Sequence, residues 1–287
     1  MAGATPHSSL LTPNLKPLIP YTINVRGRLF DLSTPQVMGI LNATPDSFYA
    51  GARHQTESDI RSRVEQIISE GGTMIDVGAY STRPGASDVP VEEEMARLRQ
   101  AMTIVRSVAP TTPVSVDTFR SDVARMAIEE LGADIINDVS GGEMDENMFP
   151  TVAKLGVPYI LTHNMPTTDL MPEMLLYFSR RIQQLRDLGQ KDIILDPGYG
   201  FSKTLEQNYQ LLAHQDELLI YELPILVGLS RKSMIYKRLG CTPEESLNGT
   251  TVLNTLALQQ GTNILRVHDV KECREVIILT KDEKNSQ

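Results

Sequence analysis

Short apolar runs alternate with longer amphipathic ones along most of this chain. Eight runs have the length of a buried strand: QVMGIL (36–41), TMIDVG (73–78), PVSVD (113–117), DIINDV (134–139), PYILTH (158–163), DIILD (192–196), PILVG (224–228) and NILRV (263–267). Between them lie stretches of helical period, among them SDIRSRVEQIISEGG, VEEEMARLRQAMTIVRSV and DVARMAIEELGA. Glycine follows several such stretches, as in SEGG, ELGA, KLGV and QQGT, where a helix can end on a left-handed residue. Regular strand–helix alternation predicts a parallel sheet, and eight units predict a closed α/β architecture, the (β/α)8 or TIM barrel. No GxGxxG follows the first strand, so an open doubly wound sheet is the second choice. Ahead of the barrel, YTINVRGRLFDLS (21–33) alternates on both sides of an Arg-Gly turn. That pattern predicts a β-hairpin covering the N-terminal end of the barrel. Residues 1–20 read as a loose leader, and the 287 residues as one domain without a linker.

Composition narrows the class. At 41% hydrophobic and 22% charged, the chain has the balance of a soluble globular protein with a large core. A net charge of −9 argues against a nucleic-acid partner, because phosphate backbones call for surplus Lys and Arg. Cys241 and Cys273 are too few for a disulfide framework and read as free thiols of a cytoplasmic protein. No apolar run approaches the roughly 20 residues of a membrane helix. The first residues lack the basic start and apolar block of a signal peptide.

In such a barrel, chemistry belongs to the C-terminal ends of the strands and the loops beyond them. Those positions hold Asn42, Asp76, Asp117 with Thr118, Asn137 with Asp138, His163 with Asn164, Asp196, the segment SRKS (230–233), and Arg266 with His268. Asp117, Asn137 and Asp196 are short, rigid side chains suited to a heterocycle edge such as that of an aminopyrimidinone. Lys232 adds a donor for a ring carbonyl or nitrogen. Arg266 offers forked donors for phosphate oxygens, His268 a further donor, and Asn42 a neutral oxygen that tolerates Mg²⁺. Other roles stand beside these. Asp196 could cap a helix, as could His268 with Asp269, while Asp76 inside its strand suits a structural partner of arginine or backbone. The loops ATPDSFYAGARH and AYSTRPGASDVP are longer than turns require.

Seven motifs occur in order: MGILNATPDSF, STRPGA, SVDTFR, IINDVSGG, LDPGYGFSKTLEQN, LVGLSRKS and LRVHDV. Together, over roughly residues 36–275, the chain resembles the dihydropteroate synthase family of folate biosynthesis. The resemblance implies a transferase that joins p-aminobenzoate to 6-hydroxymethyl-7,8-dihydropterin diphosphate, releasing diphosphate with Mg²⁺ as cofactor. It implies a homodimer and a sulfonamide target. Carried over by motif, the pterin meets Asp117, Asn137, Asp196 and Lys232. The diphosphate meets Asn42, Arg266 and His268, with Asn42 on the metal. The aminobenzoate meets Thr82, Arg83, Pro84, Phe201 and Ser233, and Phe48 helps to close the site. Asp117, Lys232 and Arg266 carry the catalytic roles, and Arg231 is expected to be structural.

The chain departs from the family pattern in three places. Ala79 and Tyr80 replace Gly and Glu before STRPG. THNMP (162–166) stands where MHMQG is common, so Thr162 or Asn164 replaces a methionine that packs on the pterin. The first loop reads SFYAGARH. A pterin-binding methyltransferase barrel is the alternative enzyme, though it has no need of both STRPG and SRKS. An inactive pterin-binding module is the non-enzymatic alternative.

Overall fold

The computed structural model describes residues 20–43, 57–80 and 88–285, with side chains through Lys281. Eight parallel strands form the barrel: β3 (Gln36–Asn42), β4 (Met74–Gly78), β5 (Val114–Asp117), β6 (Ile135–Asp138), β7 (Tyr159–Thr162), β8 (Ile193–Asp196), β9 (Leu226–Val227) and β10 (Ile264–Val267). Their hydrogen-bonded order is β8-β7-β6-β5-β4-β3-β10-β9, and a parallel bridge between Leu195 and Ile225 joins the two ends. All eight predicted strands are present. The seventh is the shortest: the Pro224 carbonyl accepts from Leu195 N at 2.9 Å, but the next N–H, of Ile225, donates to Asn263 Oδ1 at 3.0 Å instead of to the ladder.

Helices follow the strands: α1 (Glu57–Ser69), α2 (Val91–Val108), α3 (Ser121–Glu129), α4 (Met148–Leu155), α5 (Leu170–Asp187), α6 (Leu205–His214), α7 (Ser233–Leu239), α8 (Leu247–Gln259) and α9 (Val270–Asn285). In α2 the buried residues Leu98, Ala101, Met102 and Val105 recur at helical spacing, and Glu92, Glu93 and Glu94 occupy the first turn, where the helix dipole favours anions. The glycines read as helix stops, Gly71, Gly132, Gly156 and Gly261, all have positive φ.

Strand alternation sends side chains to two destinations. Val37, Leu41, Ile75, Val77, Val114, Val116, Leu161 and Leu195 belong to the large core shared with the helices. Inward-facing Met38, Met74, Ile135, Ile160, Ile194, Leu226 and Ile264 form a second core at the N-terminal end. The predicted hairpin covers it. Strands β1 (Thr22–Val25) and β2 (Arg28–Asp31) pair antiparallel, and Ile23, Val25 and Leu32 complete that lower core. Arg26, at the hairpin turn, donates to the buried carboxylate of Asp134 from Nε (2.5 Å) and Nη2 (2.8 Å), which pins the plug.

Candidate active site

Two residues further along four of these strands, the same inward face turns to charged or amide side chains. Asp76 follows Met74, Asn137 follows Ile135, Asp196 follows Ile194 and Arg266 follows Ile264. Arg266 lies at the centre of this rim. Its Nε donates to Asp76 Oδ2 at 2.6 Å and its Nη2 to Asp117 Oδ2 at 2.9 Å. Asn137 Nδ2 donates to the same Asp76 oxygen at 3.1 Å. The side chain of Asp76 is wholly buried, whereas those of Arg266 and Asp117 keep 20% and 22% of their surface exposed. A ligand can therefore reach Arg266 and Asp117, while Asp76 acts from behind them. The structural role expected for Asp76 is this pairing with arginine. Its Oδ1 has no hydrogen-bond partner among the described residues.

Two glycines keep the rim open. A Cβ on Gly78 would lie 3.7 Å from Asp117 Cβ and 3.9 Å from Asn42 Oδ1, so bare backbone separates Asn42 from Asp117. A Cβ on Gly228 would lie 3.9 Å from Arg266 Cβ and 4.0 Å from Lys232 Nζ, which brings the loop after β9 to the same place. Lys232 Nζ also donates to the Tyr199 carbonyl and stands 4.4 Å above the centroid of the Phe201 ring. Asp196 accepts from Gly198 N at 2.8 Å in a tight turn; it does not cap α6, which is capped by Thr204.

The electrostatics follow from this crowding. Burial pushes the Asp117 carboxyl up to about 7 against the opposing pull of Arg266, and Asp76, Asp138 and Glu94 add to the rise. Burial also raises Asp196, opposed by Lys232 and by the Gly198 N–H. Lys232 falls to about 8, chiefly through burial, with Asp196 opposing and Arg266 reinforcing the fall. Burial would lower Arg266, but the carboxylates of Asp76 and Asp117 outweigh it and hold the guanidinium charged. His268, lowered to about 4 by burial and by Arg266, is a neutral imidazole at pH 7. Its backbone is held from two sides: its N–H donates to Ser230 Oγ at 3.2 Å, and its carbonyl accepts from Arg63 Nη2 at 2.7 Å.

Asn42, Asp117, Asn137, Asp196, Lys232, Arg266 and His268 thus share one end of the barrel, and Phe201 lies beside Lys232. Ser233 follows Lys232 as the first residue of α7 and is half-buried. Thr82, Arg83, Pro84 and Phe48 lie outside the described residues. Arg231 is structural, as expected. It pairs through Nη2 and Nε with Asp269 at 2.8 and 2.9 Å and donates from Nη1 to the Pro243 and Glu244 carbonyls. At the departures, Tyr80 donates to Asp88 at 3.1 Å and packs edge-on against Phe119, with Arg120 over both rings. The Thr162 carbonyl accepts from Tyr177, and Asn164 Oδ1 accepts from Ser202. Sequence reasoning passed over Lys203. Its Nζ is lowered to about 7 by burial, with Asp196 opposing and Lys232 contributing. A lysine two residues after the Phe of GYGFSK carries no motif-level sign that it turns inward.

The donor set can be tested against Mg²⁺. Among the described residues, no group of three or more His, Cys, Asp or Glu side chains is placed to hold a metal ion. One neutral oxygen at Asn42, across Gly78 from Asp117, suits a cation brought in on a polyanionic ligand, with most of its shell made of ligand oxygens and water.

The family described as pterin binding enzyme matches residues 38–268. The dihydropteroate synthase of Escherichia coli (strain K12) is 41% identical over 266 residues, which is 88% of this chain and 93% of that protein. A crystal structure of the Yersinia pestis dihydropteroate synthase in complex with a sulfonamide drug superposes with a TM-score of 0.85 at 37% identity, covering 92% of this chain and 100% of that one. The Xanthomonas albilineans dihydropteroate synthase with 4-aminobenzoic acid gives a TM-score of 0.84 at 36% identity, covering 93% and 99%.

Proposed function

The chain belongs to the dihydropteroate synthase family of pterin-binding enzymes, and on that premise we propose that it joins p-aminobenzoate to 6-hydroxymethyl-7,8-dihydropterin diphosphate in folate biosynthesis. The observation that carries the reading is the Asp76–Arg266–Asp117 cluster at the mouth of the barrel, one guanidinium between two carboxylates. It offers an anion-binding cation and a cation-stabilising anion side by side, which is what departure of diphosphate from a carbon requires.

In this reading the pterin ring lies against Asp117, Asn137, Asp196 and Lys232, and its donors and acceptors satisfy those buried and partly buried groups. The diphosphate lies against Arg266, His268 and Asn42. Neutral His268 offers one N–H without adding charge. A bound Mg²⁺, held on the protein side by Asn42, would supply charge neutralisation to the leaving diphosphate. The bond between the methylene carbon and the bridging oxygen breaks first, and both of its electrons leave with diphosphate. Arg266 stabilises that developing anion, and Asp117 stabilises the cation left on the dihydropterin methylene. The arylamine nitrogen then attacks the methylene carbon and sheds one proton to solvent, so no strong general base is needed. Thr82, Arg83, Pro84, Phe201 and Ser233 border the aminobenzoate. Sulfonamides would compete there. Leu239, Val252, Leu256 and Leu279, exposed on three consecutive helices, supply an apolar face for a homodimer.

The test is a turnover assay with Mg²⁺ and both substrates. Diphosphate and 7,8-dihydropteroate are expected in equal amounts, with no dihydropteroate when either substrate is omitted. Folded protein that binds neither substrate and makes no product would overturn the reading. Methyl transfer from a methylated folate would favour the methyltransferase barrel.

A further inference from the structure

Lys203 stands in the loop between β8 and α6. Its Nζ donates to the carbonyl oxygens of Gly198 at 2.9 Å, His163 at 3.1 Å and Phe201 at 3.2 Å. Three acceptors match the three N–H bonds of the protonated lysine, the form this geometry favours. Two acceptors belong to the lysine's own loop. The third, His163, follows β7, so the side chain clips the loop to the neighbouring strand end.

The loop needs such a clip. Gly198 has φ +71°, and a Cβ there would lie 2.1 Å from the His163 carbonyl oxygen. The backbone therefore presses against the same oxygen that Lys203 holds. Ser202, which is not glycine, has φ 49°. Backbone in sparsely populated regions persists where its surroundings over-determine it. Ser202 Oγ makes a further tie to Asn164 Oδ1 at 2.9 Å, again across to the segment after β7. Between these fixed points lies Phe201, whose ring supports Lys232 Nζ at 4.4 Å, and Tyr199, whose carbonyl accepts from Lys232. Every atom that positions Lys232 from this side belongs to the segment Lys203 clips.

We propose that Lys203 is a positioning residue for the second substrate: it holds the loop after β8 against the end of β7, so that Phe201 stands beside Lys232 as the wall for the arylamine. The proposal rests on the reading that Phe201 borders p-aminobenzoate. It assigns Lys203 no contact with either substrate. The pterin-facing carboxylate Asp196 is held by β8 and by the Gly198 N–H, upstream of Phe201, and Lys203 acts on it only through charge, opposing the rise that burial causes.

Steady-state kinetics of Lys203→Met and wild type, with the aminobenzoate and the pterin diphosphate varied separately, test it. The KM for p-aminobenzoate is expected to rise about tenfold, because a small misplacement of a binding wall costs on this scale, with kcat and the pterin KM each within about threefold, because Lys232 keeps its own backbone hydrogen bonds to Leu229 and Ile235. In a Phe201→Ala background the same lysine change should leave the aminobenzoate KM within about twofold, since the group it positions is gone. Equal losses for both substrates, or full additivity with Phe201→Ala, would overturn the proposal. Should Lys203→Met not fold, Lys203→Gln, which keeps two N–H donors, carries the same comparison. Failure of both to fold would also overturn it, because the lysine would then hold the barrel as a whole. Wild-type turnover, measured alongside, separates failure of this inference from failure of the proposed activity.

Discussion

The two ends of the barrel interior use the same strands, the same inward face and residues only two positions apart. At the lower end, Met38, Met74, Ile135, Ile160, Ile194, Leu226 and Ile264 pack against Ile23, Val25 and Leu32 of the hairpin. At the upper end, Asp76, Asn137, Asp196 and Arg266 occupy the next inward positions. The lower layer is closed by apolar contact, with the Arg26–Asp134 pair pinning the hairpin at its turn. The upper layer is closed only in part: Asp76 pairs with Arg266 and Asn137, yet one of its oxygens lacks a partner among the described residues, and Asp117 and Arg266 remain open to a ligand. The difference teaches that scaffold and site are separable here along a single strand. Changes below should alter stability and leave chemistry alone, and changes above should do the reverse, except where a charge loses its partner.

The largest expected effect comes from that exception. Arg266→Ala would leave two carboxylates without their cation. Such a loss typically costs about 3–5 kcal/mol of stability, measurable by urea denaturation. Turnover should fall by about 10²–10³-fold with the loss of the leaving-group cation. A stable variant with near-normal turnover would erase the distinction between the two ends.

A smaller effect, confined to the chemistry, is expected for Asp117→Asn. Turnover should fall about 10²-fold while pterin affinity stays within about threefold, as steady-state and binding measurements would report. Unchanged turnover would rule out a role for the carboxylate charge. The pH profile sharpens this. Asp117 is raised to about 7 and Lys232 lowered to about 8, so kcat/KM for the pterin substrate should rise through the first value and decline above the second. The Asn variant should lose the acid limb. The stability sign is opposite to the activity sign. A carboxyl raised in the folded state favours folding most below its ordinary range, and that contribution disappears as pH rises through about 7. The site is thus ionised for catalysis where it stabilises the fold least.

The smallest effect on activity belongs to the lower end. Met74→Ala should cost about 2–5 kcal/mol by denaturation. Its kcat, measured well below the melting temperature, should stay within about twofold of wild type. A large loss of turnover in a folded protein would show that the two layers are coupled.

The sequence made much of this legible because the barrel's physics is local. Buried parallel strands must be short and apolar, helices between them must be amphipathic, and Gly71, Gly132, Gly156 and Gly261 close helices as their pattern suggested. Polar residues at strand ends, such as Asn42, Asp117 and Arg266, stand out against the apolar runs that precede them. What remained hidden depends on distance across the fold. The short, bridge-bounded β9 reflects the Asn263 side chain, 38 residues away, which takes the Ile225 N–H. Arg266 could be read as an anion binder, but its two carboxylates lie 190 and 149 residues away. Lys203 is harder still. Its partners are backbone carbonyls, which carry no side-chain identity, so no residue pattern announces them.

The central claim is that the upper inward face forms two adjoining subsites, one for a bicyclic ring and one for a diphosphate. A crystal structure of the protein with 6-hydroxymethyl-7,8-dihydropterin diphosphate tests it most directly. The ring is expected on Asp117, Asn137, Asp196 and Lys232 and the diphosphate on Arg266, His268 and Asn42. A ligand bound at the hairpin end, or a ring that touches none of those four side chains, would contradict it.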